Sequence, residues 1–278
     1  MKIFKTAIIL SILLLLVFVG LQYSWLNYTS TISKDLFTKA STKEKLVDFK
    51  ELEQLPKPVK NYFSLVLKDK LPIINKGYIS QEGSFRMDEE SNKYSKTEAR
   101  QFFSTTPKAF TWHAKINIDA SVYVNVFDSY TDTKGALKAK FLSLYTIVDE
   151  HDKKELSEGA LQRYLAEAIW YPTALLPNQG VIWSEVDANK AKATLKDGEN
   201  TISLEFTFND KGEITSIYSP KRYREVDGKY IATPWLCEVS NYTDKDGYLI
   251  PQDAEVSWIL DSKKFTYYKL NVKDVKYN

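Results

Sequence analysis

The hydrophobic positions of this chain fall into three successive patterns. The first is an uncharged run over residues 6–26 (TAIILSILLLLVFVGLQYSWL), 21 positions long, about what a helix needs to span a bilayer. Lys2 and Lys5 precede it, which predicts a cytoplasmic N-terminus with the rest passed to the outside, and Tyr23 and Trp25 suit an interfacial aromatic belt. The run is long and no small-x-small site follows Leu21, so an uncleaved anchor over 1–26 is expected rather than a removed signal peptide. Residues 27–50 are polar and lysine-rich and read as a tether or a weak amphipathic helix. The remainder, 51–278, reads as one extracytoplasmic domain without linker or repeat.

The second pattern is period-2 alternation. After a short helix signal in which Val59, Tyr62, Phe63, Val66 and Leu67 share one face beyond Pro56 and Pro58, strand signals dominate. They cover 78–87, 98–104, 110–118, 121–130 and 138–148, then 181–186, 191–195, 201–208, 214–218, 221–226, 230–242, 254–260 and 265–276. TISLEFTF shows the clearest alternation, with Ile202, Leu204, Phe206 and Phe208 on one face. Asp-Gly pairs at 197–198, 227–228 and 246–247, and Lys-Gly at 211–212, supply the positive φ that tight hairpins need. Pro234 interrupts the 230–242 run and predicts an edge or a bulge there.

The third pattern lies between the two groups of strands. Residues 155–177 (ELSEGALQRYLAEAIWYPTALLP) read as a helix that is apolar almost all round and is stopped by Pro172. At 100° per residue, Leu156, Ala160, Leu161, Tyr164, Leu165, Ala168 and Ile169 fill a sector of about 220°. Such a helix has to be covered. The expected fold is therefore α+β and mostly antiparallel β: a curled antiparallel sheet, a half-barrel, wrapped around a central apolar helix, with an N-terminal transmembrane helix.

Glu158 and Glu167 fall inside the apolar sector, and Arg163 stands four residues before Glu167, within pairing reach. One reading is a buried Arg163–Glu167 pair that fixes how the helix docks. The other places these groups in a cavity between helix and sheet, where they hold a polar headgroup. Trp170 and Tyr171 end the helix, and Leu175, Leu176 and Pro177 are expected to cover one mouth of the core. Arg222 and Arg224 share one strand face, set to pair with Glu225, Glu238 or Glu255 or to bind an anion. The candidate ligand-binding residues are Glu158, Arg163, Tyr164, Glu167, Trp170, Tyr171, Arg222, Arg224 and Trp235.

Composition narrows the chemistry. Hydrophobic residues at 44% suffice for a core, and 18 Tyr, 14 Phe and 6 Trp favour sheet. Setting aside Lys2 and Lys5, the 38 basic residues fall to 36, balancing 36 acidic ones. No basic stripe remains, so no nucleic-acid partner is expected. Cys237, the only cysteine, excludes an internal disulfide and reads as a small core residue. His113 and His151 lack metal-ligand spacing, and phosphate loops and nucleophile elbows are missing. No catalytic residue, metal or cofactor is assigned, and protein partners stay open. The expected function is a single-pass cell-membrane protein that binds a lipid or other apolar molecule between sheet and helix. The alternatives are an envelope assembly factor, or a carboxylate-dependent hydrolase using Glu158 and Glu167.

The strings LPKPVKNYFSLVL, ISQEGSFRM, GALQRYLAEAIWYPTALLP, KRYREVDGKYIATPW and IPQDAEVSWIL, with VKYN at the end, resemble an uncharacterised bacterial membrane-anchored family, the domain of unknown function 6544 type, over 55–278. That resemblance implies no activity, substrate or cofactor. A looser analogy with periplasmic lipoprotein carriers implies a curled sheet around an apolar cavity.

Overall fold

The computed structural model describes residues 2–278; Met1, where the expected anchor begins, lies outside the described residues. Helix α1 (Lys2–Lys39) and helix α2 (Lys57–Val66) precede strands β1 (Lys76–Phe85), β2 (Ser95–Thr105), β3 (Lys108–Asp119), β4 (Val122–Thr131), β5 (Lys134–Phe141) and β6 (Tyr145–His151). Helix α3 (Lys154–Glu167) follows. Strands β7 (Val181–Asp187), β8 (Lys190–Asp197), β9 (Asn200–Phe208), β10 (Ile214–Val226), β11 (Lys229–Lys245), β12 (Tyr248–Leu260) and β13 (Lys263–Tyr277) complete the chain.

Among the described residues these strands form one 13-stranded sheet in the order β6-β5-β4-β3-β2-β1-β13-β12-β11-β10-β9-β8-β7, and every pairing is antiparallel. The first and last strands meet in the middle, where β1 pairs with β13. The chain thus winds outward along one wing to the edge strand β6. It crosses as α3 to the other edge, β7, and winds back in. A helix joining both edges must lie across one face of the sheet, and α3 touches β3, β4 and β5 on one wing and β9 and β10 on the other. The sheet is curled around it, as the hydrophobic pattern requires. Between the wings, the Tyr130 hydroxyl donates to Asp197 (2.9 Å) and the Asn200 amide to the Thr133 carbonyl (2.7 Å).

Local chemistry explains where strand limits differ from expectation. The run 138–148 is a hairpin, β5 and β6, turned by Leu142 and Ser143 at φ of 51° and 60°. Leu142 carries no turn signal and Ser143 only a weak one, and the conformation is held from outside by Leu142 N–H donating to the Tyr123 carbonyl (3.0 Å). Conversely, 214–218 and 221–226 are one strand, β10, carried through Pro220 by a bulge.

Helix α3 gives way at Glu167 to short 3-10 turns at Ala168–Trp170, Pro172–Leu175 and Pro177–Gln179. The first two turns are buried, and the large rings there spend their polar atoms on backbone: Trp170 Nε1 donates to Pro251 O (3.1 Å) and Tyr171 hydroxyl to Tyr164 O (3.1 Å). Helix α2 buries Val59, Tyr62, Phe63 and Val66, the face its periodicity marks, against β8 and β12.

Helix α1 has two parts. Its apolar N-terminal part has a mean hydropathy of 2.6 over an 18-residue window, none of it buried, and is long and apolar enough to cross a membrane. Its C-terminal part continues without a break into the segment read as a tether. Trp25, Thr29, Ser33, Leu36 and Ala40 are buried at intervals of three and four residues against β2 and β3, on the face opposite α3. Gln22 Nε2 donates to the Tyr123 hydroxyl (2.9 Å) and to Leu142 O (2.7 Å) at one end. Ser41 N–H donates to Thr106 O (2.7 Å) at the other.

Ser33 Oγ lies 2.9 Å from His113 Nε2 and 2.7 Å from Thr111 Oγ1. Burial, and secondarily Arg100, pushes the His113 pKa down to about 4 from 6.5. Undocking of α1 exposes His113 and lets it take its proton at a higher pH than in the docked state, where its pKa is about 4, so docking is favoured at neutral pH and weakens as the pH falls towards 4. Hydrogen exchange over 22–39, corrected for intrinsic rates, should therefore be faster at pH 4.5 than at pH 7, and His113→Phe should remove the difference.

Candidate functional site

Three strands and α3 bring charged groups into an apolar interior. On β4 the alternation that turns Val124, Val126 and Tyr130 towards α3 turns Asp128 the same way. Arg163 Nη1 meets Asp128 Oδ2 at 2.6 Å, and Arg163 Nε meets Glu167 Oε1 at 2.8 Å. The other Glu167 oxygen accepts from Gln101 Nε2 on β2 at 2.6 Å. The guanidinium sits over Trp112 and Phe110, 4.6 and 5.1 Å from the ring centres. Burial works against its charge, but Glu167 and Asp128 outweigh that and hold its pKa above the ordinary value.

Beside this cluster lies a cavity of about 380 Å³. Trp112, Ile116, Val124, Leu137 and Ile147 line it from one wing. Trp235, Cys237, Val256, Tyr267 and Tyr268 line it from the other, with Ala166, Ile169 and Trp170 from the helix and its extension. Much of the polar capacity of this wall is used internally: Trp235 Nε1 donates to the Tyr267 hydroxyl (3.1 Å), and Trp112 Nε1 to Gln81 (3.0 Å). Two groups are not used. The buried Tyr268 hydroxyl has no hydrogen-bond partner. Arg222 makes no hydrogen bond or ion pair among the described residues; its guanidinium lies 4.9 Å from the ring centre of Trp235 and 5.8 Å from that of Trp258.

A bulge aims Arg222. Ser219 faces Trp235 and Arg222 faces Thr233, so Pro220 and Lys221 together oppose Pro234 alone. Directly opposed residues point to the same side of a sheet, so the extra residue turns Arg222, rather than Lys221, towards the interior. Gln162 of α3 holds the bulge, donating from Nε2 to Ser219 Oγ (3.1 Å) and Lys221 O (3.0 Å). Pro234 therefore sits opposite a bulge within an interior strand, and the lost ladder donor finds a place there.

Of the candidates read from the sequence, Arg163, Glu167, Trp170, Arg222 and Trp235 come together around this cavity. Glu158 does not: it lies in a groove with Lys221 and Tyr223, 3.7 Å from Lys154. Glu158 and Glu167 thus face different spaces and form no acid–base pair. Tyr164 and Tyr171 are packed in the core, with Tyr171 stacked on Phe103 at 4.0 Å. Arg224 pairs with Glu89, not with Glu225, Glu238 or Glu255. Glu238 alternates with the inward-facing Cys237 and so points outward, to Lys264, and Glu255 pairs with Lys269.

Asp128, Gln101, Trp112 and Tyr268 escaped the sequence reading. Asp128 had a signal: in VYVNVFDSYT it occupies the apolar phase of the alternation, where a carboxylate needs a cation. The others depended on pairing between distant strands. Among the described residues, no group of three His, Cys, Asp or Glu side chains is placed to hold a metal ion.

The chain belongs to a family of unknown function, DUF6920, whose model matches residues 53–277. This corrects the resemblance to the domain of unknown function 6544 type: the strings quoted for it, all but the final Asn278, fall inside the match but to a different family. No curated protein matches the chain. Among solved structures it is similar to a LolA-superfamily protein from Nitrosomonas europaea, 9% identical with a TM-score of 0.40, covering 83% of this chain and 93% of that one. It is also similar to a β-barrel-like protein of a domain of unknown function, DUF1849, from Brucella abortus, 11% identical with a TM-score of 0.25, covering 77% and 99%.

Two outcomes follow from the charge cluster and the cavity wall. Asp128→Asn leaves Arg163 short of a counter-charge in the interior and should lower stability by about 3 kcal/mol. Glu158→Gln, removing an outlying helix pair, should change it by less than about 0.5 kcal/mol; denaturant midpoints measure both. Burial pushes the Cys237 thiol up to about 12, so maleimide at pH 7.5 should leave it unlabelled until the protein is unfolded.

Proposed function

We propose that this protein is a single-pass membrane protein whose extracytoplasmic domain binds an anionic amphiphile, with the apolar chain in the cavity between sheet and α3 and the carboxylate or phosphate on Arg222. The observation that carries this reading is the unpaired Arg222 guanidinium beside Trp235 and Trp258, in a cavity of about 380 Å³ whose other charged lining groups, Asp128, Arg163 and Glu167, are paired with one another. That volume falls in the range of small-molecule sites, about 300–1,000 Å³, as does the combination of an apolar lining with few convergent polar groups. Arg163 carries two carboxylates already, so an anion entering the cavity meets Arg222 as the open cation.

Support for the proposed location comes from α1. Its exposed apolar part suits a bilayer, and the lysines before it favour a cytoplasmic N-terminus, which sends the domain across the membrane.

Native mass spectrometry of the full chain in mild detergent tests the reading. A discrete added mass, lost on denaturation and detected as an anion, is expected. Arg222→Met keeps an unbranched stem against the two rings but removes the charge. It should lower affinity for oleate or lysophosphatidate by about 10- to 100-fold, the worth of one charged hydrogen bond of about 1.5–3 kcal/mol. A clean apo mass together with no uptake of either probe by the unsubstituted chain would sink the proposal.

A further inference from the structure

Helix α1 fixes which end of the domain meets the membrane. It is one uninterrupted helix from Lys2 to Lys39, so the docked part inherits the direction of the apolar part. The uncharged run 6–26 extends about 32 Å at ~1.5 Å per residue, close to the bilayer's hydrocarbon thickness of about 30 Å, so its last five residues reach the outer boundary. Gln22 therefore stands at the membrane surface, with the exposed Tyr23 beside it in the interfacial layer. Gln22 is bonded to the carbonyl of Leu142 in the β5–β6 turn and to Tyr123 at the start of β4. The far end of the helix is bonded to Thr106, in the β2–β3 turn at the opposite end of the strands. The end carrying the β5–β6 turn is thus the membrane-proximal end.

That end carries an unusual rim. Met87, Phe141, Leu144, Tyr145 and Ile147 are large apolar side chains with 37–71% of their surface exposed. Phe141, Leu144, Tyr145 and Ile147 flank the same β5–β6 turn that Gln22 holds. Met87 and Ile147 also line the cavity, so exposed rim and buried pocket are continuous. Lys140, near this turn, lies 5.9 Å from the ring centre of Trp25 on α1, a further tie between rim and helix.

We infer that this rim is a membrane-docking surface: the mouth of the cavity rests in the outer leaflet of the bilayer that α1 spans, and the amphiphile passes between leaflet and cavity without crossing water. The docking partner is the lipid surface. The inference rests on the proposed anchor and cavity for its purpose, but the orientation is tested without any ligand.

The experiment uses the full chain in phosphatidylcholine nanodiscs, with a nitroxide at Tyr145→Cys, at Ile147→Cys or at Asp210→Cys. Asp210 is exposed in the β9–β10 turn, and all three labels are placed in a Cys237→Ala background because Cys237 lines the cavity. Collisional relaxation by oxygen and by a nickel chelate reports lipid and water respectively. Labels at 145 and 147 should favour oxygen by at least about fivefold relative to the label at 210, since apolar side chains at the rim partition into the acyl boundary. Nickel-favoured relaxation at 145 and 147, equal to that at 210, overturns the inference. The added mass expected in detergent is measured with no bilayer present. Its absence would remove the proposed ligand and leave the orientation result standing, while a water-exposed rim with the added mass retained would remove only the docking.

Discussion

A guanidinium carried into an apolar interior is the constraint on which this fold turns. Arg163 lies on the helix that crosses the sheet, and an unpaired charge there costs several kcal/mol. Its two carboxylates come from different places: Glu167 from the same helix, one turn on, and Asp128 from β4. Gln101 on β2 then fixes Glu167. The helix can satisfy its arginine only when one wing of the sheet is at its proper distance, so the ion cluster sets the docking as well as surviving it.

The same arrangement leaves space. A charged cluster with its own hydrogen bonds, walled by Trp112 and Phe110, does not compact as an aliphatic core does, and the aromatic rings of β11 and β13 stand off from it. The cavity between them is apolar in lining but has a cation at hand, because a single extra residue in β10 rotates Arg222 inward. Gln162 ties that bulge back to α3. The helix therefore governs both sides of the cavity: one through Arg163, the other through Gln162.

On the outer face, α1 gives the domain a direction. Its buried stripe includes Thr29 and Ser33, polar residues that find partners in their own helix and in Thr111 and His113. A flexible tether would let the domain tumble relative to the apolar part of α1; a docked helix holds one end of the sheet towards that part.

The sequence by itself determined the elements whose cause is local. The uncharged run of α1, the period-2 strands with Asp-Gly turns, the all-round apolar α3 and the Arg163–Glu167 spacing are each written within about twenty neighbouring residues, and together they require a sheet curled on a helix. Hydrogen bonds between distant segments decided the rest. The Leu142–Ser143 turn exists because Tyr123 holds it, and β10 runs through Pro220 because Pro234 opposes the bulge. The tether is helical to Lys39 because β2 and β3 cover its thin stripe. Which of nine candidate side chains meet in one cavity was likewise a tertiary matter. Inward or outward facing depends on strand register, and register is fixed by the partner strand, so Arg222 and Glu158 parted company only once the strands and the helix were paired.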